Sequence, residues 1–133
     1  MPSTPDRYVL GLPEMDVQHE YLYSLFDRID SAAALTHTGA MKKLLGEIER
    51  YLLFHFECEE RLMRMYEFSG FSVHQSDHEQ AGNRFVAFID DFEKDWLNPA
   101  ALRIFLTGWL MEHSRLSDSE YVKVVKERRN DIF

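Results

Sequence analysis

The stretch IERYLLFHFECEERLMRMY, residues 48–66, decides the fold. Ile48, Leu52, His55, Glu59, Leu62 and Tyr66 recur at steps of three and four, the interval at which an α-helix of ~3.6 residues per turn returns to one face. The stripe is apolar except at two positions, where it carries an imidazole and a carboxylate. Ionisable groups thus stand where core hydrophobes belong. Left without a partner in the interior, such groups are costly or shift their pKa until they are neutral, so their placement demands compensation.

The same device recurs along the chain. His19, Leu22, Phe26, Ile29 and Ala33 form one stripe, and His74, His78, Ala81, Phe85, Ile89 and Phe92 another. Leu102, Leu106, Trp109 and His113 form the last. Four amphipathic helices predict an all-α, up-down-up-down antiparallel four-helix bundle. In that topology the start of helix one, the end of helix two, the start of helix three and the end of helix four meet at one end. His19, His55 with Glu59, His74 with His78, and His113 occupy those four places, and of the six histidines only His37 is left out.

The 133 residues suit one domain spanning 1–133. Residues 1–15, with three prolines and Gly11, read as an irregular arm. Asp16 is a natural N-cap for a helix over about 16–36, and Thr38-Gly39 marks its exit. A second helix is expected over 40–67, stopping before Ser69-Gly70. Ser72 and Gln75 have capping-box spacing and open a third, 72–95. Asn98-Pro99 supplies a cap and a first-turn proline for a fourth, 98–114, and a short C-terminal helix follows over 119–129. Asp118 poses a problem, because five α-helical steps from His113 put it roughly 140° out of register. Either the chain turns near Ser114, or a π-type bulge returns Asp118 to the core face.

The formal net charge of −8 opposes binding to nucleic acid or anionic membrane. The basic cluster Lys123, Lys126, Arg128 and Arg129 lies at a helix end, where it complements the helix dipole. No apolar run approaches the ~20 residues of a membrane span. The single Cys58 excludes an intrachain disulfide and is read as a packed free thiol, and the N-terminus has no signal-peptide pattern. A cytoplasmic location is expected.

Imidazole with carboxylate suits iron, manganese or zinc, and the lack of clustered cysteine argues against thiolate sites. The set of His19, His55, Glu59, His74, His78, His113 and Asp118 is too large for one ion. Two octahedral ions accommodate it if both carboxylates bridge and a hydroxide or oxide adds a third bridge. Five histidines then divide three and two, which leaves one open position. Glu-x-x-His, the mark of carboxylate-rich di-iron bundles, is absent, as is His-Glu-x-x-His. No Gly-x-Ser-x-Gly turn supports a Ser/His/Asp triad. Histidine-rich ligation stabilises high oxidation states less well than carboxylates do, so reversible Fe(II)/Fe(III) redox is favoured over attack on C–H bonds.

Gly11-Leu12-Pro13-Glu14-Met15-Asp16-Val17-Gln18-His19, His55-Phe56 with Glu59-Glu60, His74-x-x-x-His78, and Trp109-Leu110-x-x-His113 with Asp118 together resemble the bacterial hemerythrins (bacteriohemerythrin, of the hemerythrin-like domain family). The resemblance spans nearly the whole chain. It implies reversible O2 binding at a non-haem di-iron centre, two iron ions (Fe2+/Fe3+) with a bridging oxo or hydroxo group. It places His74, His78 and His113 on the saturated iron, His19 and His55 on the iron with the vacancy, and Glu59 and Asp118 as bridges. It also implies an O2 pocket walled by Leu22, Phe56, Trp109 and Leu110. Gln18 and Asp77, beside ligands, are candidates to hydrogen-bond imidazole N–H groups, with an exposed polar role as the equal alternative for Asp77. The sequence departs from the family at Tyr8, where many relatives carry tryptophan, at the turn Glu67-Phe68-Ser69-Gly70, and at Ser114. Relatives usually carry a branched apolar residue in place of Ser114, and a serine there could admit water.

Oxygen storage, delivery or buffering is the first functional expectation, with O2 as ligand and no catalytic residue assigned. An O2, redox or nitric-oxide sensing module acting with a separate protein partner is the second. A di-iron peroxidase or oxidase is the third.

Overall fold

The computed structural model describes residues 9–36 and 38–132, with side chains to Asn130; Tyr8 and His37 lie outside the described residues. The elements are α1 (Pro13–Phe26), α2 (Ile29–Ala34), α3 (Ala40–Met65), α4 (Phe71–Glu93), α5 (Pro99–His113), a π turn (Ser114–Asp118) and α6 (Ser119–Ile132). α1 and α2 together make the first arm of the bundle, both packing on α3 and α5. α3, α4 and α5 are the other three arms, so the fold is the expected all-α four-helix bundle.

The main apolar core joins Leu22, Phe26 and Ile29 to Leu44, Ile48 and Leu52, and to Phe85, Leu102 and Leu106. A second cluster closes the other end. There Tyr121, Val122 and Val125 of α6 pack on Leu10, Leu12, Met15 and Met63, with Cys58 partly buried against them. The thiol is free and packed.

Several helix ends differ from the sequence reading. α1 begins at Pro13, whose missing N–H costs nothing in a first turn, so Asp16 is not its cap. The Asp16 carboxylate instead accepts from Leu10 N at 2.8 Å and Gly11 N at 3.0 Å, clipping the preceding chain to the helix. The first arm is interrupted at Asp27-Arg28 rather than continuous to residue 36. α4 starts at Phe71 with Gly70, which has no side chain to cap with, at its N-cap position, so Ser72 lies inside the helix, and Gln75 donates to Glu60 at 3.0 Å. α5 opens as expected, with Asn98 Oδ1 accepting from Ala101 N at 3.1 Å. α6 continues directly from the π turn as far as Ile132.

The basic residues of α6 do more than offset a dipole. Lys126 Nζ donates to Leu10 O at 3.1 Å, and Arg129 reaches Glu14 at 2.8 Å and Tyr66 Oη at 3.1 Å. They fasten α6 to the N-terminal segment and to the end of α3.

α3 terminates with Glu67 in the left-handed region at φ 54°, where Phe68 N donates to Met63 O at 2.8 Å. That conformation costs a residue with a Cβ roughly 1–2 kcal/mol. The Glu67 contact to Arg128 is 3.9 Å and well exposed, so it offsets little. Glu67→Gly is expected to stabilise the fold by about 1 kcal/mol, after the extra chain entropy of glycine is counted. Urea unfolding checks this, and an unchanged midpoint would mean that the turn is unstrained.

Candidate metal centre

Local geometry explains how each group reaches one end of the bundle. His55 and Glu59, one turn apart on α3, and His74 and His78, one turn apart on α4, project from the buried faces of their helices. His19 comes from α1 and His113 is the last residue of α5. Asp118 arrives by the π turn, whose i→i+5 repeat puts residues five apart on one face. Of the two routes open to Asp118 in the sequence, the chain takes the bulge.

All seven side chains are buried, and His55, Glu59 and Asp118 are wholly inaccessible. Glu59, His74, His78, His113 and Asp118 form one group whose nearest nitrogen and oxygen atoms lie within 4.8 Å of one another. His19, His55 and Glu59 form a second that shares the glutamate. Within them His113 Nε2 is 3.0 Å from His74 Nε2 and 3.2 Å from His78 Nε2, and His19 Nε2 is 3.0 Å from His55 Nε2. Asp118 spans the two groups. Its Oδ1 lies 2.9 Å from His74 Nε2 and 3.1 Å from His113 Nε2, while Oδ2 faces His19 Nε2 at 3.5 Å. Glu59 Oε1 lies 3.4 Å from His55 Nε2 and 3.2 Å from His78 Nε2.

Protons alone cannot satisfy this arrangement. His55 Nδ1 donates to Gln18 Oε1 at 2.7 Å and His78 Nδ1 to Glu60 Oε2 at 2.9 Å. Both oxygens are acceptors only, so each neutral ring carries its hydrogen on the outer nitrogen and aims a lone pair inward. Both inward lone pairs meet Glu59 Oε1, and that atom and both Asp118 oxygens are buried with no aligned hydrogen-bond donor among the described residues. Cations at the two shared points would satisfy every one of these atoms, and the donor set fits borderline-to-hard ions.

Electrostatics carry the same frustration. Burial pushes His55 down to about 4, against the pull of Glu59. Burial also opposes charge on His74, but the adjacent Asp118 and Glu59 carboxylates outweigh it and raise that ring to about 9. For Glu59, burial opposes ionisation, yet the nearby imidazoles of His55, His74 and His78 hold its carboxyl well below the ordinary range.

Around the polar cluster, aromatic rings make close contacts. Phe56 stacks on His78 with centroids 4.0 Å apart, and Trp109 stacks on His113 at 4.4 Å. Phe56, Leu22 and Leu110 are buried in the main core, with Trp109 half-buried against it.

Four neighbours differ from expectation or were given no role. Glu60 orients His78, and Tyr121, wholly buried, donates to Glu59 Oε2 at 2.6 Å while its ring lies 5.4 Å from that of His74. The sequence reading assigned neither a role, although Tyr121 stands one α-helical turn after Asp118. Burial, with the charges of Glu59 and Asp118, pushes the Tyr121 hydroxyl pKa up, so the phenol stays a donor. Ser114 does not open the site to water. It is wholly buried, and its hydroxyl is 3.4 Å from His19 Nδ1. Asp77 is 4.0 Å from His113 Nδ1, beyond direct hydrogen bonding, and 39 % exposed.

Residues 10–125 match the hemerythrin HHE cation-binding domain. The chain belongs to the hemerythrin family. The bacteriohemerythrin of Stenotrophomonas maltophilia is 26% identical over 127 residues, which are 96% of this chain and 83% of that protein. That of Pseudomonas aeruginosa is 27% identical over 124 residues, 92% of this chain and 80% of the other. The Aquifex aeolicus bacteriohemerythrin is 29% identical over 109 residues, 79% and 82% of the two chains. In fold, this hemerythrin-family chain superposes on a crystal structure of wild-type hemerythrin with a TM-score of 0.82 at 20% identity, covering 94% of this chain and 97% of that one. No helix among the described residues is long and apolar enough to cross a membrane.

Proposed function

We propose that this hemerythrin holds two iron ions at the bundle end and binds O2 reversibly, for storage, delivery or buffering. The reading rests above all on one observation. Five imidazoles converge on three buried carboxylate oxygens that have no aligned donor of their own. His74, His78 and His113 would hold one ion and His19 with His55 the other, with Asp118 and Glu59 between them. Two ions so ligated would supply the electrons that bind O2 and recover them on its release.

The protein's own part is orientation and exclusion of water. Gln18 and Glu60 fix the outer nitrogens of His55 and His78, so the inner lone pairs are preorganised. Tyr121 occupies Oε2 of Glu59 and leaves Oε1 facing both histidine groups. Leu22, Phe56, Trp109 and Leu110 would cover the open position. Carriage is favoured over oxidation chemistry because five neutral imidazoles outnumber two carboxylates.

The deciding experiment adds air to the anaerobic, fully reduced protein. An oxygen-dependent charge-transfer band in the visible that disappears on deoxygenation is expected. Rapid, irreversible conversion to the oxidised spectrum would sink the proposal in favour of sensing or catalysis. Leu110→Ala should speed autoxidation, and an unchanged rate would show that Leu110 does not guard the vacancy. Glu60→Ala should weaken iron binding by roughly 10–100-fold in anaerobic chelator competition, since it frees the His78 ring to rotate. Unchanged affinity would remove Glu60 from the account.

A further inference from the structure

The seven clustered side chains are at most 6% exposed, so an ion reaches them only if part of the chain moves aside. Six of the seven stand on α1, α3, α4 and α5, which interlock through the main apolar core. Asp118 stands on the π turn that leads into α6, outside that core. What holds α6 down is smaller. Its buried apolar side chains among the described residues are Tyr121, Val122 and Val125, and from Lys126 to Asn130 none is buried.

The polar end of α6 is fastened at three points. Arg129 Nη2 lies 2.8 Å from Glu14 Oε2, Arg129 Nε donates to Tyr66 Oη at 3.1 Å, and Lys126 Nζ donates to the Leu10 carbonyl at 3.1 Å. Lys126 comes this close because position 11 is glycine, where a Cβ would collide with Nζ. The pair formed by Arg129 and Glu14 is partly exposed, at 36% and 43%, and such pairs are weak singly. Segments held by few buried contacts and exposed polar ones open locally while the rest of a fold stays intact.

Raising α6 would withdraw Asp118 from both histidine groups and Tyr121 from Glu59 Oε2, and leave five histidines on an intact bundle. Opening a path and releasing a ligand would be one motion. We infer that α6 is the door through which metal ions enter and leave the cluster, with Arg129, braced on Glu14 and Tyr66, as the positioning residue that holds it shut. The inference rests on the proposed reading that metal ions occupy the cluster.

Two measurements on the full chain test it. Passage of Fe(II) from the reduced, anaerobic protein to an excess of ferrous chelator is expected to be roughly fivefold faster in Arg129→Met, the scale of an exposed ion pair with one added hydrogen bond. Salt should speed the unsubstituted protein toward that rate and leave the variant nearly unchanged. Asp30→Asn breaks a pair of similar length and exposure, Arg103 to Asp30 at 2.9 Å between α2 and α5, and should leave the rate unchanged. In the metal-free protein, the amides of residues 119–130 should exchange with solvent as one block ahead of α3, and Arg129→Met should raise that exchange about fivefold without raising exchange in α3. Equal acceleration by Arg129→Met and Asp30→Asn would mean that iron leaves by global unfolding, and would overturn the inference. So would an unchanged rate in Arg129→Met, or equal protection of α6 and α3. A chain that retains no iron would sink the metal reading itself and the inference with it, whereas retained iron with an unchanged exit rate in Arg129→Met sinks the inference alone.

Discussion

On the proposed two-iron reading, Asp118→Ala is expected to leave the chain with at most one tightly held iron instead of two. The reason is positional. Asp118 Oδ1 serves His74 and His113 while Oδ2 faces His19, so this one carboxylate joins the two histidine groups. Glu59 also touches both groups, but through Oε1 alone, because Tyr121 holds its Oε2. Loss of Asp118 therefore removes the one carboxylate among the described residues that offers one oxygen to each group. Iron per chain, measured after desalting against a weak chelator, checks the expectation. Two ions retained would show that Asp118 is not a ligand.

Removing the metal is expected to cost several kcal/mol of stability and to lower the melting temperature by roughly 10 °C or more, because ions that bind only the folded chain stabilise it by mass action. The metal-free protein should also acquire a distinctive pH profile. His55 falls from 6.5 unfolded to about 4 folded, so its contribution is complete above pH 6.5 and is lost as pH drops toward 4. His74 rises from 6.5 to about 9, so its contribution is complete below pH 6.5 and is lost as pH climbs toward 9. Each flank corresponds to a loss on the order of 3 kcal/mol. Below pH 4.5 the lowered Glu59 adds to the acid loss. Urea titrations of the chelated protein should therefore give greatest stability near pH 6.5. No loss between pH 7 and 9 would contradict the pairing of His74 with the carboxylates.

Much of this was legible before any coordinates. Spacings of four at His55/Glu59 and His74/His78 are set by helix geometry alone, and the apolar residues flanking them fix which face is buried. The bundle and the convergence at one end follow from those two facts. Local signals competed less cleanly at the ends of helices. Asp16 and Ser72 look like caps, but Pro13 and Phe71 open the helices first, and Asp16 is engaged by Leu10 and Gly11. The Gln75–Glu60–His78 chain was hidden because it crosses from α3 to α4, a relation no spacing within one helix encodes. Tyr121 was missed for a related reason: its partner, Glu59, lies sixty-two positions away along the chain. The role of Ser114 depends on His19 from another helix in the same manner.

The π turn settles more than the placement of one aspartate. Continued without it, the α5 stripe of Leu102, Leu106, Leu110 and His113 would bring Ser117, Glu120 and Val124 inward. With one residue inserted, the helical phase advances, and Asp118, Tyr121 and Val125 are buried instead. The same local defect thus supplies the spanning carboxylate, the phenol that holds Glu59, and the apolar edge that seals α6 over Leu10 and Met15. Straightening the π turn into unbroken α-helix at unchanged chain length would undo all three together, because they share one rotational offset.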